Sequence, residues 1–495
     1  MKKHLALLLI LCLTGLVLSA SPLATELENA IRVTQSADQA LLVIADYRER
    51  ISDLDDLRIL QNYWMQIDAD GCRAWFADKH AAQPEASEFE YLWLRGLEDP
   101  AVQISGGRAL IRRDPDFYWG YRLFSNTLSQ ILQDPDTPDS LREDIVTNLA
   151  SDRSLLQQGL RKWPGDDYLR LALFHHHASQ GENEAAEQQL LNLQDPAAIE
   201  ANFRQVFEFI EATGKVRPFE VLFPKVISST IARGELTAAD SLAYYQFYYL
   251  EALKMAADWP RMLDYFALHP GLKTDDSTLR TRILMHIGLD QLETALNLLE
   301  GAMAAGLVSY PEALAEEDYA PLRALPRYAG IMSLAEANWE QGKVQRKTEI
   351  LAGLTSRPAP LWELPDAVGN LVRLEDLRGK IVILDFWALW CAPCLKTLSK
   401  LQAWKKDNPG DDLVLISVNV WENPSDHEAA IKHFTNNRYD LTLLFGGSEI
   451  PKAYGFSAIP WLCAIDVNGN IAFTLSGDSP VLAETLDFWV EALRH

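Results

Sequence analysis

The chain has 495 residues, 48% hydrophobic and 10% aromatic, with 26 Gly and 24 Pro, which excludes a disordered polypeptide and, at this length, one ordinary core. A formal net charge of −24 repels phosphate backbones and speaks against nucleic acid as a partner.

The N-terminal stretch MKKHLALLLILCLTGLVLSA sets Lys2 and Lys3 before an apolar run from Leu5 to Leu18, then the small residues Ser19 and Ala20. This is the shape of a secretory signal peptide over residues 1–20. The run falls short of the roughly 20 residues a spanning helix needs, so cleavage is expected, with retention as an uncleaved anchor the alternative. Cys12 follows Leu11 rather than the small residue that precedes a lipid-modified cysteine. The expected location is the periplasm or another extracytoplasmic, oxidising space. Four cysteines then remain: Cys72, Cys391, Cys394 and Cys463.

Residues 26–345 read as helix after helix. SADQALLVIADYRERI and EAAEQQLLNL carry apolar residues at three- and four-residue spacings, and strand-like alternation is scarce. LIRRDPDFYWGYRLF and GLRKWPGDDYLRLALF each suggest a helix end, a proline turn and a new helix opening with aromatics. Ala186 and Ala295 are small residues suited to close helix pairing. The pattern resembles a degenerate tetratricopeptide array, an all-α helical-hairpin solenoid that would bind a peptide or protein ligand. His175, His176 and His177 are consecutive, and neighbours on a helix point about 100° apart, so they cannot chelate one ion together. No metal and no cofactor is expected.

Three prolines between residues 358 and 365 break the helical grammar, and a linker is placed at 346–358. From 359 to 495 strands and helices alternate. IVILDFW and LVLISVNV are runs of buried-strand length, with helical LKTLSKLQAWKKD between them. SDHEAAIKHFTNNR reads as a helix, LTLLF as a strand, and WLCAIDVNGNIAFTL as a hairpin around Asn468-Gly469. Ser479 before Pro480 starts a terminal helix. This is an α/β domain with a central mixed sheet.

Cys391 and Cys394 lie where the first strand meets its helix. Zinc would need a second ligand pair, haem attachment a His where Leu395 stands, and a two-residue staple would stabilise little. A redox pair remains. At a helix N-terminus Cys391 is favoured as thiolate and nucleophile, and Cys394, one turn in, resolves the mixed disulfide.

The stretch DFWALWCAPC resembles the thioredoxin active site. With APLWELPDAVGNLVRLEDLRGKIVILDFWA, LISVNVWEN and AYGFSAIPWLCAIDVNGNI, the last 140 residues resemble the TlpA/ResA branch of exported thioredoxin-like proteins. The resemblance implies a Cys391-Cys394 disulfide flanked by Trp390, and a cis-Pro460 loop, with Ile459, that faces the disulfide. It also implies a buried Asp385 that helps deprotonate Cys394. The partners it implies are client thiols and disulfides and a redox partner, a membrane electron donor among the candidates. Three positions depart from the family: Trp461 follows Pro460 where Thr is common, Ser399 replaces a helix-kinking proline, and Leu389 and Leu395 leave the motif without an acid. Trp461 is expected to crowd or reshape the substrate groove. Two other functions compete with a thiol-disulfide oxidoreductase. A peroxiredoxin would need Thr at Ala388 and Pro at Leu384, and a non-enzymatic scaffold would leave the redox motif incidental.

Overall fold

The computed structural model describes residues 21–494, apart from 35, 135–136, 275 and 423–426. The expected signal peptide, 1–20, lies outside the described residues. The chain forms two compact units, Met1–Tyr265 and Phe266–His495.

The described part of the first unit is helical. Several of its helices begin where short polar side chains cap backbone N–H groups that have no intrahelical partner. Ser21 caps Pro22–Arg32 by accepting from Ala24 N–H, and Asp53 caps Leu54–Ile67. Asp-Pro pairs start Pro100–Arg113 and Pro196–Ala201 in the same way, with Asp99 and Asp195 as caps. The two similar segments fold alike: Pro100–Arg113 turns at residues 114–117 into Tyr118–Gln133, and Asp139–Lys162 turns at 163–166 into Asp167–Ser179. Close packing depends on small residues. A Cβ on Gly159 would fall 2.8 Å from the Tyr121 ring and 2.9 Å from Leu169, and Ala186 is fully buried.

The three histidines part company on their helix. His177 Nδ1 meets Glu182 at 2.5 Å, His176 Nε2 meets the Leu149 carbonyl at 3.1 Å, and His175 is buried beside Phe174. Each points to a different neighbour, as their angular spacing requires.

The second unit opens with helices that include Leu279–Gly288, Leu292–Ala304 and Pro326–Gln341, packed around Ile283, Leu296, Leu299 and Tyr319. Ala295 is fully buried at this contact. Then follow α1 (Lys343–Ala352), β1 (Arg357–Pro358), β2 (Glu363–Pro365), β3 (Leu371–Arg373), β4 (Ile381–Trp387), α2 (Ala392–Asp407) and β5 (Leu413–Val420). The chain ends with α3 (His427–Asn436), β6 (Thr442–Gly447), α4 (Glu449–Tyr454), β7 (Trp461–Ile465), β8 (Asn470–Ser476) and α5 (Leu482–Arg494). Residues 346–358 thus comprise most of α1, a turn and β1.

Six strands form one sheet in the order β1-β8-β7-β4-β5-β6, with β4, β5 and β6 parallel and β7, β8 and β1 antiparallel to their neighbours. β2 and β3 make a separate ribbon. A helical N-terminal region followed by a thioredoxin-like domain with a central mixed sheet is therefore the architecture. Both central strands are apolar because each is covered on two sides. On one side lie α2, α3 and α5, through residues such as Leu398, Trp404, Phe434, Leu486 and Trp489. Trp362, Leu364, Leu374 and Tyr454 cover the other. α1 joins this domain through Ile350 and Leu351 and through Arg346, whose guanidinium forks onto Glu484 at 2.9 and 3.0 Å and stacks 3.3 Å above Trp339.

Candidate functional site

β4 ends at Trp387, and the chain turns through Ala388, Leu389 and Trp390 into α2. Cys391 is the N-cap of that helix. Its Sγ accepts the Cys394 N–H at 3.3 Å, its N–H donates to the Ala388 carbonyl, and its carbonyl accepts from Leu395. Pro393 fits the first turn, where its missing N–H would have had no intrahelical partner. Glu422, just past β5, accepts the Leu389 N–H through its carboxylate and so holds the turn from the neighbouring strand.

Cys391 and Cys394 are joined as a disulfide. Cys391 is 5% exposed and Cys394 is fully buried, while Trp390 beside them is 63% exposed. Across from α2 the Ile459-Pro460 peptide is cis, and the Ile459 carbonyl oxygen lies 3.7 Å from Cys391 Sγ. The mouth of the site thus has two sides: the Trp390-Cys391 turn and the Ile459-Pro460 loop.

Below the disulfide, strand alternation decides which groups meet. Ile381, Ile383 and Trp387 of β4 share a core with Cys391, Cys394 and Leu398, whereas Val382, Leu384 and Phe386 point to the opposite face. Asp385 has the parity of Ile383 and Trp387, so its carboxyl lies on the cysteine side of the sheet. It is fully buried, and burial pushes its pKa up to about 8, with a weak opposing pull from the Ser417 hydroxyl, which donates to Oδ2 at 3.4 Å. Ser417 pairs with Asp385 in the parallel β4-β5 register, and Asn419 pairs with Trp387. A carboxyl with so high a pKa can take or give a proton near neutrality.

The same alternation corrects the expectation for Trp461. Rather than crowding the groove, its side chain turns to the far face, where it stacks on Phe456 at 4.6 Å and packs against Phe386. Cys463 shares that face, on the opposite side of the sheet from Cys391 and Cys394. Cys463 and Cys72 are free, buried thiols, and burial raises the pKa of both, Cys72 to about 12. Ser399 donates to the Leu395 carbonyl one turn back and meets the Tyr439 hydroxyl.

Ser417, Asn419, Glu422, Thr397 and Asp478 belong to this neighbourhood and escaped the sequence reading. Ser417 and Asn419 left a signal: two polar residues of like parity inside the otherwise apolar run LVLISVNV. Asp478 left none.

A model of the AhpC/TSA family matches residues 355–474. Thiol-disulfide oxidoreductase ResA of Geobacillus thermodenitrificans is 30% identical over 134 residues, 26% of this chain and 72% of that protein. The chain belongs to the ResA-type thiol-disulfide oxidoreductases. Sporulation thiol-disulfide oxidoreductase A of Bacillus subtilis is 29% identical over 115 residues, 23% of this chain and 68% of that protein. Among solved structures, StoA from Bacillus subtilis is 24% identical, with 27% of this chain and 97% of that one covered and a TM-score of 0.24. The enzyme is a thiol-disulfide oxidoreductase whose similarity to these relatives is confined to its C-terminal domain.

Proposed function

We propose that the enzyme works outside the cytoplasm and reduces, or exchanges, disulfides in client proteins through Cys391 and Cys394. The observation that carries this reading is Cys391 itself: at the N-cap of α2, 5% exposed, and 3.7 Å from the Ile459 carbonyl. In the reduced enzyme a thiolate there is favoured by the helix dipole and by the N–H of Cys394. Cys391 thiolate attacks one sulfur of a client disulfide; a mixed disulfide forms and the other client sulfur leaves as thiolate. Cys394 then gives its proton to the Asp385 carboxylate and attacks Cys391 Sγ. The second client thiolate leaves, the Cys391-Cys394 disulfide forms, and two electrons have passed to the client.

Trp390 and Ile459 would line the side a client meets, and Pro460 would hold the facing loop. A redox partner, a membrane electron donor being one candidate, would reduce the disulfide again. The region 26–345 would bind the client or that partner, with 359–495 carrying the chemistry. Export is supported by the basic and then apolar stretch that opens the sequence.

Trapping tests the division of labour. Reduced full-length Cys394→Ser mixed with an oxidised protein disulfide, such as insulin, is expected to accumulate a dithiothreitol-sensitive adduct through Cys391. Cys391→Ser should form none and lose insulin reduction. Adduct formation by Cys391→Ser, or none by Cys394→Ser, would contradict the assignment.

A further inference from the structure

We propose that Asp478, in the loop after β8, is a positioning residue that ties α2 to the cis-proline loop and so sets the gap that a protein disulfide must enter. The inference rests on the exchange chemistry proposed for Cys391.

The loop Gly477-Asp478-Ser479 touches both sides of the mouth. The Gly477 N–H donates to the Pro460 carbonyl at 2.8 Å, which fixes the cis-proline loop. The next residue reaches the other way: Asp478 Oδ1 accepts from Thr397 Oγ1 at 3.2 Å and from Lys400 Nζ at 2.6 Å, and Lys400 also donates to the Ser479 carbonyl at 3.1 Å. Thr397 and Lys400 stand one and two turns beyond Cys394 on α2. Gly477 has a φ of +85°, a conformation that L side chains rarely adopt, and it lets the backbone turn from one side of the mouth to the other.

The bonds are of the kind that hold position. Thr397 is 1% exposed, so its hydroxyl has little water to turn to if Asp478 is lost. The Lys400 contact is charge-assisted, with the Asp478 side chain 28% exposed and that of Lys400 36%. Three consecutive residues therefore set the separation of Cys391 from the Ile459 carbonyl. A small soluble disulfide needs only access to Cys391 Sγ. A disulfide within a polypeptide must also seat its backbone between α2 and the Ile459-Pro460 loop, and misplacing reacting groups by an ångström slows such steps steeply.

Two rate constants separate positioning from simple loss of stability. Reduced full-length enzyme is reacted with insulin as the protein disulfide and with 5,5′-dithiobis(2-nitrobenzoate) as the small one, and the ratio of the two is compared among variants. In Asp478→Ala the ratio is expected to fall about tenfold, or about 1.4 kcal/mol. Asp478→Asn, which can still accept from Thr397, should fall less. Partial unfolding lowers both rates together and leaves the ratio unchanged. Thr397→Val removes the hydroxyl at nearly constant volume, is expected to lower the ratio as well, and decides the matter if Asp478→Ala does not fold. An unchanged ratio in a folded Asp478→Ala or Thr397→Val overturns the proposal. Failure of the exchange chemistry reads out separately, as wild-type rates equal to those of Cys391→Ser.

Discussion

Each unit of the molecule buries a carboxylate, and the two are treated in opposite ways. In the helical unit Asp152 is wholly inaccessible but forks onto the buried Arg108 guanidinium at 2.7 and 2.8 Å, with Asp144 supporting the same cation. In the thioredoxin-like domain Asp385 is equally inaccessible, and its side chain meets only the Ser417 hydroxyl at 3.4 Å among the described residues. Charge burial is costly unless paired. Where the pair is complete, the carboxylate ties the helix Pro100–Arg113 to the helix Asp139–Lys162; where it is missing, the carboxyl takes up protons near neutral pH. The first arrangement is structural and the second is suited to proton transfer.

The contrast predicts opposite signs for two substitutions. Arg108→Ala leaves Asp152 buried without its cation, and thermal or urea unfolding should report a loss of about 3–5 kcal/mol. A loss below about 1 kcal/mol would mean that water reaches Asp152 and that the comparison fails.

Asp385→Asn should stabilise. The folded pKa of about 8 lies above the unfolded carboxylate value, so the wild type keeps its full stability only below about pH 4 and loses it as pH rises toward 8. The slope is at most about 1.4 kcal/mol per pH unit, so over the roughly three units from about pH 4 the variant's advantage should grow to at most about 4 kcal/mol by pH 7. The same variant should resolve its mixed disulfide more slowly, without the rise through about pH 8 expected of the wild type. A pH-independent stability difference would show that Asp385 titrates as an ordinary carboxyl.

The smallest effect concerns Arg346 and Glu484, whose side chains are 18% and 19% exposed. Replacing Arg346 by Met leaves a mostly buried Glu484 carboxylate without its guanidinium and should cost about 1–2 kcal/mol, between the values for an exposed and a fully buried pair.

Legibility followed distance along the chain. β4 and β5 could be read as written, since a strand covered on both sides leaves a mostly apolar run, broken here by Asp385, Ser417 and Asn419. The hairpin was legible through Asp466-Val467-Asn468-Gly469-Asn470, where Asp466 accepts the N–H groups of Asn468 and Asn470 and Gly469 takes a φ of +81°. The residues gathered at the mouth could be named because Cys391 and Cys394 are local and Pro460 stands in a recognisable stretch. The expectation for Trp461 failed on strand alternation, which carries its side chain through the sheet to Phe456 and Phe386. Asp478 was invisible: its partners Thr397 and Lys400 are 81 and 78 residues away, and no periodicity records such a meeting. The division at Tyr265 and Phe266 falls inside Trp259–Leu268, within uniform helical grammar where composition offers no break.

The most direct measurement is a redox titration of the full-length enzyme, with free thiols alkylated under denaturing quench and located by peptide mass. The expected result is one reversible two-electron transition at Cys391 and Cys394, with Cys72 and Cys463 reduced throughout. A midpoint near or below about −250 mV would make the enzyme a reductant, and one near about −120 mV a disulfide donor. A titration without that transition, or one in which Cys463 or Cys72 exchanges in place of Cys391, would contradict the account.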